Sequence, residues 1–363
     1  MEEYYMMWLS RIPKIGVHKI ILLLEHFGTA EAVWKASLEE LKEVEGLSAV
    51  YCRQIQNAKK QQQLEQWIEE LEQKKIRFIS IKNHQYPHLL KQIYDPPTGL
   101  YLRGFLPDDG IDKVSIVGAR KCSQYGASVA YKLAKDLSKA NIVVVSGMAT
   151  GIDGMAHLGI LDGGGQTIAV LGTGVDICYP AEHKNLMERI IENGCVLSEY
   201  PPGVAAFSKN FPKRNRIISG LSSMTIVVEA GRKSGTLITA DQALENGREV
   251  FVVPGNVTSP LSEGTNDLIK QGCPIITEFE DVLFELGIAY TEEEKQAFQK
   301  HMAENMQPEE QEVYQCIGKE AVDAETISRI LHKNIQEIQY SLTLLEIAGH
   351  IRKLPQSGYI REG

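Results

Sequence analysis

Apolar positions along this chain change their spacing twice, and each change marks a change of architecture. Over residues 1 to about 75 they recur at helical intervals, as in Ile20–Leu24 and in Ala32, Val33, Leu38 and Leu41. This predicts short packed helices, continued by a charged helix over 62–75. Ile76–Ile81 is β-branched and aromatic enough to predict a strand. The stretches 84–88, Asp95-Pro96-Pro97 and Leu100–Gly104 are read as a connection. From residue 114 the pattern becomes one of short continuous apolar runs: Val114–Val117, Ile142–Ser146, Thr167–Leu171, Thr225–Glu229 and Glu249–Val253. Helical stretches such as Gly126–Lys139 and Asp153–Leu161 separate them. Strands of this kind, alternating with helices, predict a parallel sheet covered on both faces. Most runs end at a glycine (Gly118, Gly147, Gly172), and the last ends at Pro254-Gly255. Ligands of such sheets bind beyond the carboxyl ends of the strands, so these turns share one functional edge.

A polar, acidic stretch follows at 289–309. Beyond it, Glu325–Leu331 and Ile335–Glu346 are amphipathic, and Ile351–Leu354 and Tyr359–Arg361 flank a turn. Two helices and a β-wing resemble a winged helix-turn-helix. The expected organisation is therefore a helical domain at 1–75, an extended Rossmann-like α/β domain at 76–288, a linker at 289–309 and a winged-helix domain at 310–363. From Pro308 onward six Lys/Arg face nine Asp/Glu, and Glu337 falls on the presumptive recognition helix. Contact with protein is expected there rather than groove reading. A weak repeat, Ile12–Gly16 and Val44–Ser48, gives the N-terminal segment a helix-hairpin-helix (SAM-like) look. Each turn keeps one glycine, and Glu43 and Glu45 flank the second, so a structural or protein-contact role is expected.

Composition narrows the class. The chain is 43% hydrophobic and 23% charged, ordinary for a soluble globular protein. No apolar run reaches the roughly 20 residues of a membrane span. The N-terminus lacks the pattern of a signal peptide, so a cytoplasmic location is expected. Six dispersed cysteines without a C-x-x-C pair suggest neither a metal site nor a redox dithiol. Against a net charge of -9, the segment Lys209–Lys233 holds six basic residues and one acid, a local net of +5. Crowded like charges imply a polyanionic partner. Phe207 and Phe211 stand among Lys209, Lys213, Arg214 and Arg216, and cations with aromatic faces are the chemistry of single-strand nucleic-acid binding. Pro212 makes this segment read as a loop, its forked guanidiniums suited to an oxyanion.

Other turns carry weaker signals. Gly118-Ala119-Arg120-Lys121 and Gly147–Gly151 could each let backbone approach a phosphate. Gly172-Thr173-Gly174 lacks the third glycine of a dinucleotide fingerprint, since position 177 is isoleucine. Neither that cofactor nor a P-loop nucleotide is expected. Asp153 and His157 share a helix face without a third ligand and read as structural. Glu229 reads as an anchor for nearby N–H groups or for Arg216. Ser234–Thr239 reads as a strand-to-helix turn capped by hydroxyls.

Together the strings Ser115–Arg120, Ser146–Asp153 with Ala156-His157, Ala169–Gly172 with Tyr179-Pro180, Leu197–Gly203, Phe211–Gly220, Val227–Ala230, Ser234–Ala240 and Val253–Gly255 resemble the DprA/Smf family of bacterial DNA-processing proteins. The resemblance is close over 114–272. It implies a Rossmann core that binds single-stranded DNA and forms a homodimer, with no catalysis and no cofactor. It also implies protection of incoming DNA and loading of RecA recombinase during natural transformation. Carried over by motif, Arg120 would hold phosphate, Lys213, Arg214 and Arg216 would line the groove, and Phe211 would contact or support it. Dimerisation would use the region around Thr265–Gln271. Ala119, Ser219 and Thr236 depart from common family residues, but only by small changes. The alternative is a phosphoribohydrolase-type enzyme acting on nucleoside monophosphates. Gly235-Thr236 would fit it, but Thr239 stands where its carboxylate belongs.

Overall fold

The computed structural model describes residues 1–288, 308–318, 321–347, 351–354 and 358–361. The expected linker lies almost wholly outside them. The chain forms two compact units, Met1–Gly287 and Ile288–Gly363.

The first unit opens with six helices: α1 (Glu2–Ser10), α2 (Val17–Phe27), α3 (Ala30–Lys35), α4 (Leu38–Lys42), α5 (Ala49–Ala58) and α6 (Gln61–Gln73). They share the first unit with the sheet. In α1, the Glu3 carboxylate accepts the Ser80 N–H at 2.7 Å and its hydroxyl at 3.0 Å. Arg11 donates from Nε to the Tyr101 hydroxyl at 2.8 Å, with its guanidinium 4.2 Å over the Trp67 ring.

Eight strands follow: β1 (Arg77–Ser80), β2 (Gly99–Gly104), β3 (Lys113–Val117), β4 (Val143–Ser146), β5 (Thr167–Val170), β6 (Gly194–Ser198), β7 (Met224–Val227) and β8 (Glu249–Val252). Their order is β1-β2-β6-β5-β4-β3-β7-β8. The run from β6 to β8 is parallel, and β2 joins β6, and β1 joins β2, antiparallel. The parallel strands are buried almost throughout, which is why they read as continuous apolar runs. Helix α7 (His88–Lys91) precedes β2. Helices α8 (Gln124–Leu137), α9 (Ile152–Asp162) and α10 (Lys184–Glu192) carry the chain from β3 to β6 in one direction. Helices α11 (Asn210–Gly220) and α12 (Gly235–Glu245) carry it back across β3 to β7 and β8, on the opposite face if each crossover keeps the usual right hand. Helices α13 (Glu263–Lys270) and α14 (Phe279–Glu285) complete the unit.

Two expectations are corrected. Leu100–Gly104 is not a connection but strand β2, with Leu100, Tyr101 and Leu102 essentially inaccessible. The Pro96-Pro97 punctuation hid it. The basic segment around Phe211 is not a loop but helix α11. Pro212 lies in the first turn, where the missing N–H breaks no intrahelical bond.

In the second unit, the helices Pro308–Gln315, Ala324–Leu331 and Ile335–Ile347 precede the antiparallel pair β9 (Ile351–Leu354) and β10 (Gly358–Arg361). Val322 exchanges both backbone hydrogen bonds with Tyr359, at 2.9 and 2.7 Å. Val313, Ile327, Ile338, Leu342 and Ile351 form its core. This is the winged-helix arrangement. No helix among the described residues is long and apolar enough to cross a membrane.

Candidate nucleic-acid interface

Because β6 to β8 run parallel, the turns that follow them share one rim of the sheet. Successive strands are added first on one side of β3 and then on the other, and the Gly118–Ser123 turn stands at that switch point. Its Ala119 N–H donates to the Glu229 carbonyl at 2.7 Å. Ser123 caps α8 by accepting the Gly126 N–H, and donates its own N–H (2.8 Å) and hydroxyl (2.5 Å) to the buried Glu229 carboxylate. Glu229 thus anchors N–H groups, as expected, but not Arg216. It fills the helix start that a phosphate would otherwise seek. What this turn presents to solvent is Arg120 and Lys121, both exposed.

The β4–α9 turn is filled in the same way. The Asp153 carboxylate accepts the Ala149 N–H at 3.4 Å, with the Gly147 backbone also acting on its charge. Burial pushes the Asp153 pKa up, opposed by the Arg214 charge and these backbone groups. Gly151 has φ +78°, and a methyl there would lie 2.3 Å from the Ala119 carbonyl oxygen, so the two turns lock together. Gly147 is buried, with its carbonyl on Arg214 and no room for a methyl beside that guanidinium. It is therefore not the open phosphate cradle expected of it. Gly118 serves packing, since a methyl there would meet Ile152 at 2.5 Å.

Helix α11 separates the cations that the sequence placed together. Positions two apart on a helix diverge by about 200°. Arg214 is 3% exposed, and its guanidinium crosses the rim to donate to the carbonyls of Gly147 (2.8 Å) and Val170. Burial lowers its pKa to about 10, with Asp153 opposing the shift and Arg120 adding to it. Arg216 turns the other way, to Glu199 at 2.7 Å and Asp95 at 3.4 Å. Neither guanidinium joins Arg120 in a shared groove, contrary to expectation: Arg214 is held by buried carbonyls, and Arg216 lines a separate pocket with Ile93, Tyr94, Asp95 and Asn246. Lys209 and Lys213 are exposed, Lys213 at 3.7 Å from Glu199. Arg232 leans toward Glu263 and Asp267, at 3.9 and 3.8 Å.

The rim does bring Arg120 and Phe211 together. The Arg120 guanidinium stands 5.2 Å over the Phe211 ring, which rests on Gly172. A second ring, Tyr179, lies 5.4 Å from Phe211 at 36° and is 44% exposed. Sequence reasoning missed Tyr179 as a site residue; its only signal was the Tyr179-Pro180 pair shortly after Gly172-Thr173-Gly174. Cationic heads beside two partly open rings can hold phosphate oxygens and stack unpaired bases.

Acid–base chemistry finds less support. His157 is buried, its Nδ1 2.8 Å from the Thr167 hydroxyl, and burial drives its pKa down to about 3. It is a neutral core residue. Among the described residues no three His, Cys, Asp or Glu converge as metal ligands. Thr239 is buried inside α12, which begins at the Ser234 cap.

Residues 77–287 match the family model described as DNA recombination-mediator protein A, and 300–357 match the DprA winged helix domain. The chain is 41% identical to the DNA processing protein DprA of Bacillus subtilis over 271 residues, covering 71% of this chain and 91% of that protein. It is 38% identical to Protein Smf of Synechocystis over 290 residues, 79% and 73% of the two chains. The X-ray structure of DprA from Streptococcus pneumoniae superposes with TM-score 0.67 at 34% identity, covering 78% of this chain and 98% of that one. DprA from Helicobacter pylori, a structure described for its single-stranded DNA binding mode, superposes with TM-score 0.53 at 30% identity, covering 59% and 98%.

Proposed function

The chain belongs to the DNA recombination-mediator protein A family, the DprA/Smf proteins, and from that premise we propose that its sheet rim binds single-stranded DNA. Arg120 and Lys121 hold phosphates, Lys209 and Lys213 extend the positive track, and Phe211 with Tyr179 stacks on bases. The observation that carries this reading is the Arg120–Phe211–Tyr179 cluster, exposed at the carboxyl edge of the parallel strands. Arg214 supports it from beneath. The protein acts as a non-enzymatic mediator in the cytoplasm, without a cofactor. It protects incoming strands and loads RecA onto them during natural transformation. It works as a homodimer through the region around α13, where Thr265 is buried but Lys270 and Gln271 are exposed.

Binding of labelled single- and double-stranded oligonucleotides tests the reading. Phe211→Ala and Tyr179→Ala should each weaken single-strand binding by about 1–3 kcal/mol and leave duplex binding little changed. The same variants should slow RecA filament formation on covered strands. Equal loss on both DNA forms would remove base stacking from the account.

A further inference from the structure

The C-terminal unit carries a groove of about 480 Å³ lined from helix Pro308–Gln315 and helix Ile335–Ile347, far larger than one side chain needs. Its apolar lining includes Val313 and Ile338, both buried, and the half-buried Leu344. Tyr340 is 68% exposed beside them. Its charged residues are mostly acidic: Glu309, Glu310 and Glu337 line it, and the one lysine, Lys333, is already held by the Glu312 carboxylate. Helix Ile335–Ile347 is the element that a DNA-reading winged helix would offer to a groove of duplex DNA. Here its first turn carries Glu337 and its exposed face carries Tyr340. Phosphates would meet carboxylates, and the exposed Tyr340 ring and half-buried Leu344 would stay uncovered.

An occupant must bury apolar groups and bring positive charge. An amphipathic helix does both, laying its i, i+3, i+4, i+7 stripe into the groove while flanking Lys or Arg side chains reach the rim. We propose that this groove is a docking site for a basic amphipathic helix of a partner protein, a site separate from the DNA-binding rim. Its stripe packs on Leu344 and Tyr340, over a floor backed by Val313 and Ile338, and its cations pair with Glu309 and Glu337. Charge complementarity sets the choice of partner, since the same stripe on an acidic helix would be repelled.

The test uses the full chain and a fluorescent synthetic peptide of about 18 residues, five helical turns, with leucines on one stripe and lysines elsewhere. One control scrambles the leucines, and another replaces each lysine by glutamate. The basic amphipathic peptide should bind at least about tenfold more tightly than either control. Tyr340→Ala should weaken it by a similar factor, and Glu309→Lys with Glu337→Lys should shift preference to the glutamate peptide. Single-strand DNA binding should stay unchanged in both variants. The proposal is overturned by equal binding of the scrambled peptide, or by wild-type peptide binding in the double lysine variant. Loss of duplex DNA binding on Tyr340→Ala, without peptide binding, would make the helix a DNA reader. Loss of self-association in that variant, by sedimentation, would give the groove to a second copy. Either result also overturns the proposal.

Discussion

Three arginines that look interchangeable in the sequence have three different fates. Arg120 is exposed over Phe211, Arg214 is sealed under the rim, and Arg216 is paired with Glu199. Arg214→Met should therefore act on folding. It leaves the Gly147 and Val170 carbonyls without a strong donor and should lower stability by about 2–5 kcal/mol, read from the urea midpoint. Arg120→Ala should leave that midpoint within about 0.5 kcal/mol. His157 makes a pH prediction. Its folded pKa of about 3 lies below the ordinary histidine value of 6.5, so protons favour the unfolded chain. The penalty begins as pH falls through 6.5 and grows until about 3. Over that window the wild type should lose stability more steeply than His157→Gln, the carboxylate contributions being common to both. What the sequence showed was that cations cluster. It did not show which face inward, because that depends on the helical phase of α11, which Pro212 disguised.

At the scale of elements, the rim is built from strand-to-helix turns whose anion sites are occupied by the protein itself. Glu229 fills the start of α8, and Asp153 fills the turn before α9. These carboxylates hold the backbone so that Arg120 projects outward. Glu229→Gln should cost about 1.5–3 kcal/mol of stability, the worth of hydrogen bonds to a charge. It should loosen the Arg120 turn and weaken DNA binding without changing the salt slope, since no phosphate partner is removed. Gly147→Ala should behave like a mild Arg214 variant, because its methyl would stand 2.6 Å from that guanidinium. Five of the six parallel strands, all but β6, were legible because burial on both faces makes them continuous apolar runs. Strands β2 and β6 were not read as strands. Gly104, at φ +93° and with no room for a methyl beside the Gly194 carbonyl, ends β2 in a way that reads as a turn.

Across the first unit, the helical segment is tied to the same rim. Lys74 at the end of α6 reaches Asp176 at 2.7 Å, and Asp176 accepts the Gly203 N–H at 2.9 Å. Although burial would raise its pKa, the Lys74 and Gly203 bonds hold the Asp176 carboxyl below its usual range. That pair steadies the segment leading to Phe207 and α11. In the proposed reading, a chain of net charge -9 meets a polyanion through one exposed patch, while Arg214 and Arg216 are held by internal partners. The most direct measurement is the salt dependence of single-strand binding, by anisotropy, for wild type, Arg120→Ala/Lys121→Ala and Arg216→Gln. Each lost phosphate contact should flatten the log–log slope by about 0.7, so the double variant should be shallower by about 1.4 and Arg216→Gln unchanged. An unchanged slope in the double variant, or a flattened one in Arg216→Gln, would contradict the assignment of phosphate contacts to the exposed rim.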